Sequence, residues 1–265
     1  QKLFDELPFR SVASWTMLIS GYCELEQGDE AFFLFERMKL EGISPTLITY
    51  VCVLKACSRT GELNKGKQVH NEISFKGLLE QENLILSNAL VGMYAKFGLL
   101  VKAREVLEQL PVRDIVSWNA LIVGYVQEGQ LNEALNCFAS IRREGLCPNE
   151  FTFTCILNAC GSIQALNKGI QVHDDIIRAG FARHLALSNT LIDMYAKWGM
   201  LTEARDIFEN LSSRDVVSFN ALMTGYSDHG LDENIMNCYA EMKAHNISPN
   251  VITFICILKA CGNEG

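Results

Sequence analysis

The sequence lacks any apolar run approaching the 18 or more residues, roughly, that a membrane-spanning helix needs, so no membrane partner is expected. Basic residues are also few: 23 Lys and Arg stand against 31 Asp and Glu, for a net charge of −8. This balance disfavours bulk, non-specific binding to nucleic acid, which usually needs a basic surface. It leaves room for binding in which contacts to bases supply much of the energy.

The ten cysteines include no Cys-x-x-Cys pair, so the spacing of zinc-ribbon and redox motifs is missing. Eight of the ten recur at fixed distances along the chain, in the sets Cys52/Cys155/Cys256, Cys57/Cys160/Cys261 and Cys137/Cys238. A cysteine that returns once per structural unit is typical of a small packing residue. We therefore expect no metal, no cofactor and no disulfide, with the thiols kept reduced inside a cell or organelle.

Because Gln1 falls inside a repeat, we expect the parent protein to extend beyond this sequence and any transit peptide to lie outside it. Hydrophobic residues make up 49% of the chain, which is ample for a core and argues against disorder.

The tripeptide Ser117-Trp118-Asn119 marks an internal repeat. Its counterparts begin at Ser14, 103 residues upstream, and at Ser218, 101 residues downstream. Prolines 45, 148 and 249 keep the same two distances, and the run Met93-Tyr94-Ala95-Lys96 returns 101 residues later. Repetition of this kind indicates a solenoid whose function is read unit by unit.

The repeat divides into units of unequal length. The full units are Val12–Thr46 (35 residues), Leu47–Asn83 (37), Leu84–Asp114 (31), Ile115–Asn149 (35), Glu150–His184 (35), Leu185–Asp215 (31) and Val216–Asn250 (35). Partial units lie at Gln1–Ser11 and Val251–Gly265, and the whole chain 1–265 is predicted to form a single array.

Each unit is predicted to form two helices. In the unit that starts at Ile115, Trp118, Leu121, Ile122 and Tyr125 follow the spacing of one buried helical face. A second apolar helix follows Gly129, and it is expected to stop at Gly145 before Pro148. Because one hairpin cannot bury its own apolar faces, neighbours must stack. The expected fold is all-α: a right-handed superhelical solenoid of helix-turn-helix hairpin repeats, with the first helices on the concave side.

A period near 35 residues suits both protein-binding tetratricopeptide and RNA-binding pentatricopeptide repeats, but the Trp-x-x-Leu-Gly-x-x-Tyr pattern of the former is not followed. The informative segments are residues 216–223 (VVSFNALM), then 151–153 (FTF), 157–160 (LNAC) and 169–173 (GIQVH), and finally 189–197 (NTLIDMYAK) and 203–205 (EAR). In that order they resemble the P, L and S motifs of the plant pentatricopeptide repeat family, and the resemblance covers the whole chain. Below, the units that start at Val12, Ile115 and Val216 are called P units. Those that start at Leu47, Glu150 and Val251 are L units, and those that start at Leu84 and Leu185 are S units.

The resemblance implies that each unit reads one unstacked base of a single-stranded RNA. The fifth residue of the first helix would face the base edge, the last residue of the unit would flank it, and the aliphatic second residue would pack on the base face. An Asn amide both donates and accepts, which suits a pyrimidine. The implied fifth-and-last pairs are Asn88 with Asp114 and Asn189 with Asp215 for uracil, and Asn119 with Asn149 and Asn220 with Asn250 for cytosine, with uracil tolerated.

The remaining implied positions are less regular. Thr16 with Thr46 is an unfamiliar pair that hints at a purine, and the second residues are Ile85, Val116, Ala186 and Val217. The L units carry Val51 with Asn83, Thr154 with His184, and Ile255 with no partner in the chain, and we assign them no base. With the N-terminus toward the RNA 5′ end, the implied target is 5′-purine-N-U-(C/U)-N-U-(C/U)-3′. Lys96 and Lys197 could supply a local basic strip.

Several features suggest chemistry but have simpler explanations. His70-Asn71-Glu72 matches the His-x-Glu element of zinc deaminases, yet its repeat counterpart is His173-Asp174-Asp175 and no Pro-Cys-x-x-Cys follows either copy. A packing role is therefore favoured, and no catalytic residue is predicted. The aromatic residues Trp15, Trp118 and Phe219 precede the fifth position and are expected to be buried between hairpins.

The leading hypothesis is a sequence-specific single-stranded RNA-binding array, and not an enzyme. Proteins of the P-L-S form are recognition factors for cytidine-to-uridine RNA editing in mitochondria or chloroplasts. The resemblance therefore implies a pyrimidine-rich RNA partner in one of those organelles, and editing-cofactor proteins docked through the L units. The alternative is a protein-binding helical scaffold that holds a peptide, which the acidic composition favours mildly. An enzyme lacks support because no metal ligands or nucleophile arrangement cluster in the sequence.

Overall fold

The computed structural model describes residues 4, 9–79 and 83–263, and these contain α-helices without any strand. The predicted all-α class is confirmed. No helix in these ranges is both long and apolar enough to cross a membrane. Most of the partial unit predicted at Gln1–Ser11 lies outside the described residues, as do the last two residues of the partial unit that starts at Val251.

The fifteen helices in the described part of the chain alternate between first and second helices of the units. The first helices are α1 (Val12–Glu24), α3 (Leu47–Thr60), α5 (Leu84–Lys96), α7 (Ile115–Gln127), α9 (Glu150–Ser162), α11 (Leu185–Lys197), α13 (Val216–Asp228) and α15 (Val251–Asn263). The second helices are α2 (Gly28–Leu40), α4 (Leu63–Phe75), α6 (Leu100–Gln109), α8 (Leu131–Arg143), α10 (Leu166–Arg178), α12 (Leu201–Glu209) and α14 (Asp232–Ala244). Each first helix begins at the first residue of a unit inferred from the sequence.

The S units are short because their second helices are short. Helices α6 and α12 have 10 and 9 residues, whereas the second helices of the P and L units have 13. The missing turn accounts for the difference between units of 31 and 35 residues.

Helix α8 ends as the sequence predicts. Gly145 follows the last turn with φ 71°, a left-handed conformation that glycine adopts without steric cost, and Pro148 follows shortly after. Gly42 repeats this stop after α2 with φ 78°.

The structure contains two compact units, residues 1–147 and 148–265. In the first, α1, α3, α5 and α7 pack side by side, and each of the second helices α2, α4, α6 and α8 contacts the first helix of its own hairpin. In the second, α9, α11, α13 and α15 form the same kind of row, with α10, α12 and α14 behind it.

The aromatic residues that precede the fifth positions belong to the core, as predicted. Trp15 and Phe219 are 0% exposed and Trp118 is 3% exposed. The Trp118 Nε1 donates a hydrogen bond to Glu144 Oε2 at 2.9 Å, while the ring of Phe219 meets Phe208 edge-on with centroids 4.8 Å apart. These side chains pack the first helix against neighbouring parts of the array and do not face solvent.

The recurrent cysteines are mostly packing residues. All ten are free thiols, and five of the recurrent ones are buried: Cys57, Cys137, Cys160, Cys238 and Cys256. Burial raises the pKa of Cys137 to about 12 and that of Cys160 to about 11, so both thiols are protonated and unreactive at neutral pH. Cys261 departs from its repeat counterparts and is exposed.

Gly124 marks a close approach between α7 and the preceding hairpin. A Cβ on Gly124 would lie 2.6 Å from Leu100 Cδ2, 3.1 Å from Ala95 Cβ and 3.3 Å from the Ala95 carbonyl oxygen. We expect Gly124→Ala to lower the free energy of unfolding by about 1–3 kcal/mol, because overpacking outweighs the gain in helix propensity. Urea unfolding measures the change.

The matched control is Gly92→Ala in α5, where nothing lies within 4 Å of the new Cβ. That variant is expected to gain up to about 1 kcal/mol. Equal effects of the two substitutions would show that the helices are not this close at Gly124.

Candidate nucleic-acid interface

The last residue of each P and S unit caps the following first helix. Asp114 Oδ1 accepts the backbone N–H of Ser117 at 2.9 Å, and Asp215 Oδ1 accepts that of Ser218 at 2.8 Å. The serine hydroxyls reciprocate by accepting the Asp backbone N–H at 3.2 Å in both cases. Caps of this kind stabilise a helix by about 1 kcal/mol and fix the rotamer of the capping side chain.

The same carboxylates also orient the fifth residues. Asn88 Nδ2 donates to Asp114 Oδ2 at 3.1 Å, and Asn189 Nδ2 donates to Asp215 Oδ1 at 3.3 Å. Because a carboxylate only accepts hydrogen bonds, the NH₂ group of each amide must face it, and the amide oxygen turns the other way. Both amide oxygens are buried and accept no hydrogen bond from the described residues.

Asn220 has a more fully bonded amide. Its Nδ2 donates to Asn250 Oδ1 at 2.9 Å, and its Oδ1 accepts the hydroxyl of Thr253 at 2.7 Å. Asn250 in turn is fixed by the cap of α15, since its Oδ1 accepts the backbone N–H of Thr253 at 3.2 Å.

Thr16 and Thr46 are joined through a third threonine. The Thr49 hydroxyl lies 2.8 Å from that of Thr16 and 3.0 Å from that of Thr46. Asn119 is buried on α7 in the first compact unit, with 7% exposure. Asn149, in the second, caps α9 by accepting the N–H of Thr152 at 3.0 Å.

Hydrogen bonding keeps Asp215 ionised. Burial alone would raise the pKa of this carboxyl, but hydrogen bonds from Ser218 and Asn189 favour the charged form, and the net result is a pKa below the ordinary value. The carboxylate that orients Asn189 therefore carries its negative charge at neutral pH.

The second residues form an exposed apolar row in each compact unit. Ile85 is 69% exposed, and Val116 and Val217 are each 53% exposed; Ala186 is exposed as well. The same position holds exposed apolar residues in the L units, at Ile48, Phe151 and Ile252. These three residues were not predicted as base-flanking because no base was assigned to the L units, although an apolar second residue recurs there in the sequence.

A groove of about 700 Å³ in the second compact unit collects the predicted residues of two successive units. Its walls include six of them: Ala186, Asn189, Asp215, Val217, Asn220 and Asn250. Asn158 and Asp193 also line it and were not predicted. Lys197, expected to supply positive charge, is paired with Asp193 at 2.6 Å, so its charge is balanced locally.

The L units hold their fifth and last residues differently. Val51 is buried, and the Thr154 hydroxyl donates to the backbone carbonyl of Glu150 in its own helix at 3.0 Å. His184 Nε2 lies 3.2 Å from Glu150 Oε2, and its side chain does not cap α11. Asn83 does cap α5, by accepting the N–H of Leu86 at 3.1 Å.

The His-x-Glu element is structural. His70 Nδ1 bonds to the Tyr94 hydroxyl at 2.8 Å, and its counterpart His173 bonds to Tyr195 at 3.0 Å. Burial lowers the pKa of both imidazoles. Within the described residues, no group of three or more His, Cys, Asp and Glu side chains is arranged to hold a metal ion.

Rows of helical hairpins, with a bonded polar pair at Asn88 and Asp114, at Asn189 and Asp215 and at Asn220 and Asn250, define a helical-repeat protein. The chain matches the PPR repeat family at residues 10–59, 113–162 and 214–263, and the PPR repeat at residues 48–78, 85–115 and 187–216. It therefore belongs to the pentatricopeptide repeat family.

Relatives with curated names come from Arabidopsis thaliana. The putative pentatricopeptide repeat-containing protein At3g13770, mitochondrial, is 36% identical over 99% of this chain and 42% of its own length. The pentatricopeptide repeat-containing protein CRR2, chloroplastic, is 34% identical over 100% of this chain and 41% of its own length. The chain thus spans less than half of the length of these relatives.

Solved structures share the fold. The crystal structure of PPR10 in complex with an 18-nt psaJ RNA element superposes with a TM-score of 0.78 at 24% identity, over 95% of this chain and 38% of that one. The crystal structure of PPR10 from maize superposes with a TM-score of 0.59 at 19% identity, over 95% of this chain and 42% of that one.

Proposed function

We propose that this chain binds single-stranded RNA sequence-specifically, with one base for each P and S unit. The observation that carries the proposal is the recurrent bonded pair, in which a capping residue orients the amide of the fifth residue beside an exposed aliphatic side chain. An amide held in this way can hydrogen-bond the edge of a pyrimidine while the aliphatic residue covers its face.

The comparison with PPR10 supports the proposal, since that protein was crystallised with an RNA element and has the same fold over 95% of this chain. In our assignment, Asn88 with Asp114 and Asn189 with Asp215 select uracil. Asn119 with Asn149 and Asn220 with Asn250 select cytosine and tolerate uracil, and Thr16 with Thr46 selects a purine.

The parent protein is proposed to be a site-recognition factor for cytidine-to-uridine editing in a mitochondrion or chloroplast. Two observations support this. The units alternate among 35, 35–37 and 31 residues, as in the P-L-S form, and the relatives carry mitochondrial and chloroplastic names. The described residues supply base recognition, and the L units are proposed to dock editing-cofactor proteins.

The test uses mobility shifts of the full chain on a seven-nucleotide site, 5′-AAUCAUC-3′, within an unstructured RNA. Replacing the sixth base, assigned to Asn189 and Asp215, with a purine is expected to weaken binding by about tenfold, because a good base contact contributes on the order of 1–3 kcal/mol.

The matched control replaces the fifth base, which faces the L unit at Glu150 and has no assignment, and it should have little effect. Equal losses at both positions would contradict the assigned register. Absence of binding to any single strand at low salt would contradict RNA binding itself and favour a peptide-binding scaffold.

A further inference from the structure

We propose that Thr253, the third residue of α15, is a positioning residue that biases the amide of Asn220 toward cytosine. This proposal rests on the proposed function. Thr253 follows the Asn250 cap, and its counterparts after the Asp caps are Ser117 and Ser218. All three are buried, so each hydroxyl must find its partner within the protein.

After an Asp cap, the hydroxyl of the third residue donates its proton to the capping Asp. Ser218 Oγ donates to Asp215 Oδ1 at 2.8 Å, and Ser117 Oγ lies 2.9 Å from the Asp114 carbonyl and 3.1 Å from Asp114 Oδ1. A hydroxyl has one proton, and hydrogen bonds to a charged acceptor are the stronger ones. The oxygens of Asn88 and Asn189 consequently remain without a donor.

After the Asn250 cap, the hydroxyl of Thr253 goes to the amide of Asn220 instead. At the other Asn cap, Thr152 Oγ1 donates to Asn149 Oδ1 at 2.9 Å. Thr253 Oγ1 lies 2.7 Å from Asn220 Oδ1 but 3.3 Å from Asn250 Oδ1. Asn250 Oδ1 is neutral and already accepts two N–H groups, from Asn220 and from the backbone of Thr253. The proton of Thr253 is therefore directed to Asn220.

This difference matters because the two pyrimidines differ at N3. Uracil carries an N3–H that needs an acceptor, and cytosine carries a bare N3 that needs a donor. The unoccupied oxygen of Asn189 can accept from uracil. The oxygen of Asn220 already accepts a hydrogen bond from Thr253, which makes it a weaker acceptor for uracil than the unoccupied oxygen of Asn189, whereas its second Nδ2 hydrogen stays available for cytosine. Thr253 thus biases Asn220 toward cytosine.

The experiment compares Thr253→Val with the unaltered chain, by competition between RNAs with cytosine or uracil at the seventh base. Loss of the hydroxyl frees Asn220 Oδ1, so the preference for cytosine over uracil is expected to fall by about threefold to tenfold, the worth of one neutral hydrogen bond. Thr253→Ser retains the hydroxyl and should retain the preference. If the valine variant does not fold, Thr253→Ala removes the same hydroxyl and gives the same comparison.

Ser218→Ala is the matched control. It removes a hydroxyl that accepts the Asp215 N–H at 3.2 Å, as Thr253 accepts the Asn250 N–H at 3.1 Å, but this hydroxyl donates to Asp215 and not to the amide oxygen of Asn189. The preference of the Ser218→Ala variant for uracil at the sixth base, which is assigned to Asn189, should be unchanged. Retained binding with an unaltered cytosine preference in the valine or alanine variant of Thr253 would overturn this inference alone. An equal change in the Ser218 variant would attribute the effect to the cap and also overturn it. Failure of the unaltered chain to bind RNA would instead overturn the proposed function.

Discussion

Asn189→Thr is expected to convert the preference at the sixth base from uracil to guanine, by about tenfold or more in relative affinity. The substitution removes both the amide oxygen that would accept the uracil N3–H and the hydrogen bond from Nδ2 to Asp215. The shorter side chain leaves room for a purine. The ionised Asp215 then offers its carboxylate to the N1–H and N2–H₂ donors of guanine, in charge-assisted hydrogen bonds. Competition among four RNAs that differ only at this base measures the change.

The adjacent Thr190→Val is the control for this substitution. Thr190 lines the same groove, but its hydroxyl donates to the carbonyl of Ala186 in its own helix at 2.9 Å. It should leave the base preference as it was. An Asn189→Thr variant that binds RNA and still prefers uracil would show that the fifth position has been placed on the wrong residue.

Phe219→Ala is expected to lower the free energy of unfolding by about 3–5 kcal/mol, the usual cost of emptying a fully buried aromatic site. Phe219 is 0% exposed and packs edge-on against Phe208, whose ring also lies 4.7 Å from the guanidinium carbon of Arg214. The substitution leaves a cavity between α12 and α13 and removes an aromatic pair. Urea unfolding followed by circular dichroism measures the loss.

Phe75→Ala provides the same chemical change at a side chain that is 92% exposed, and it should alter stability by no more than about 0.5 kcal/mol. Similar effects of the two substitutions would contradict the burial of Phe219. Because hairpins contact mainly their neighbours, the Phe219 variant is also expected to broaden the unfolding transition.

The hairpin pattern was predictable from sequence because its determinants are local. The spacing of Trp118, Leu121, Ile122 and Tyr125 defines a buried helical face, and Gly145 with Pro148 defines a stop, without reference to any distant residue. The helical periodicity also predicted the buried position of Trp118, whereas the role assigned to its neighbour Asn119 came from the family resemblance.

The orientation of the amides was not predictable in the same way. Whether the oxygen of an Asn is unoccupied depends on a hydrogen bond to a residue about 30 positions away, as between Asn220 and Thr253. Nothing in the sequence pattern singled out Thr253, because its role depends on this contact with a neighbouring unit. The ion pair of Lys197 with Asp193, by contrast, is local, since opposite charges four residues apart lie on one face of a helix.

The double role of the last residue limits which amino acids this surface can use. Asp114, Asp215 and Asn250 each cap a first helix and each accept a hydrogen bond from a neighbouring Asn amide. A substitution at these positions must therefore preserve both the cap and the orientation of the amide. Only residues that cap a helix well, chiefly Asp, Asn, Ser and Thr, satisfy the first requirement. The requirement for helix capping therefore restricts the amino acids that this position can carry, independently of RNA binding. A redesign that chose the last residue for base specificity alone would destabilise the following helix.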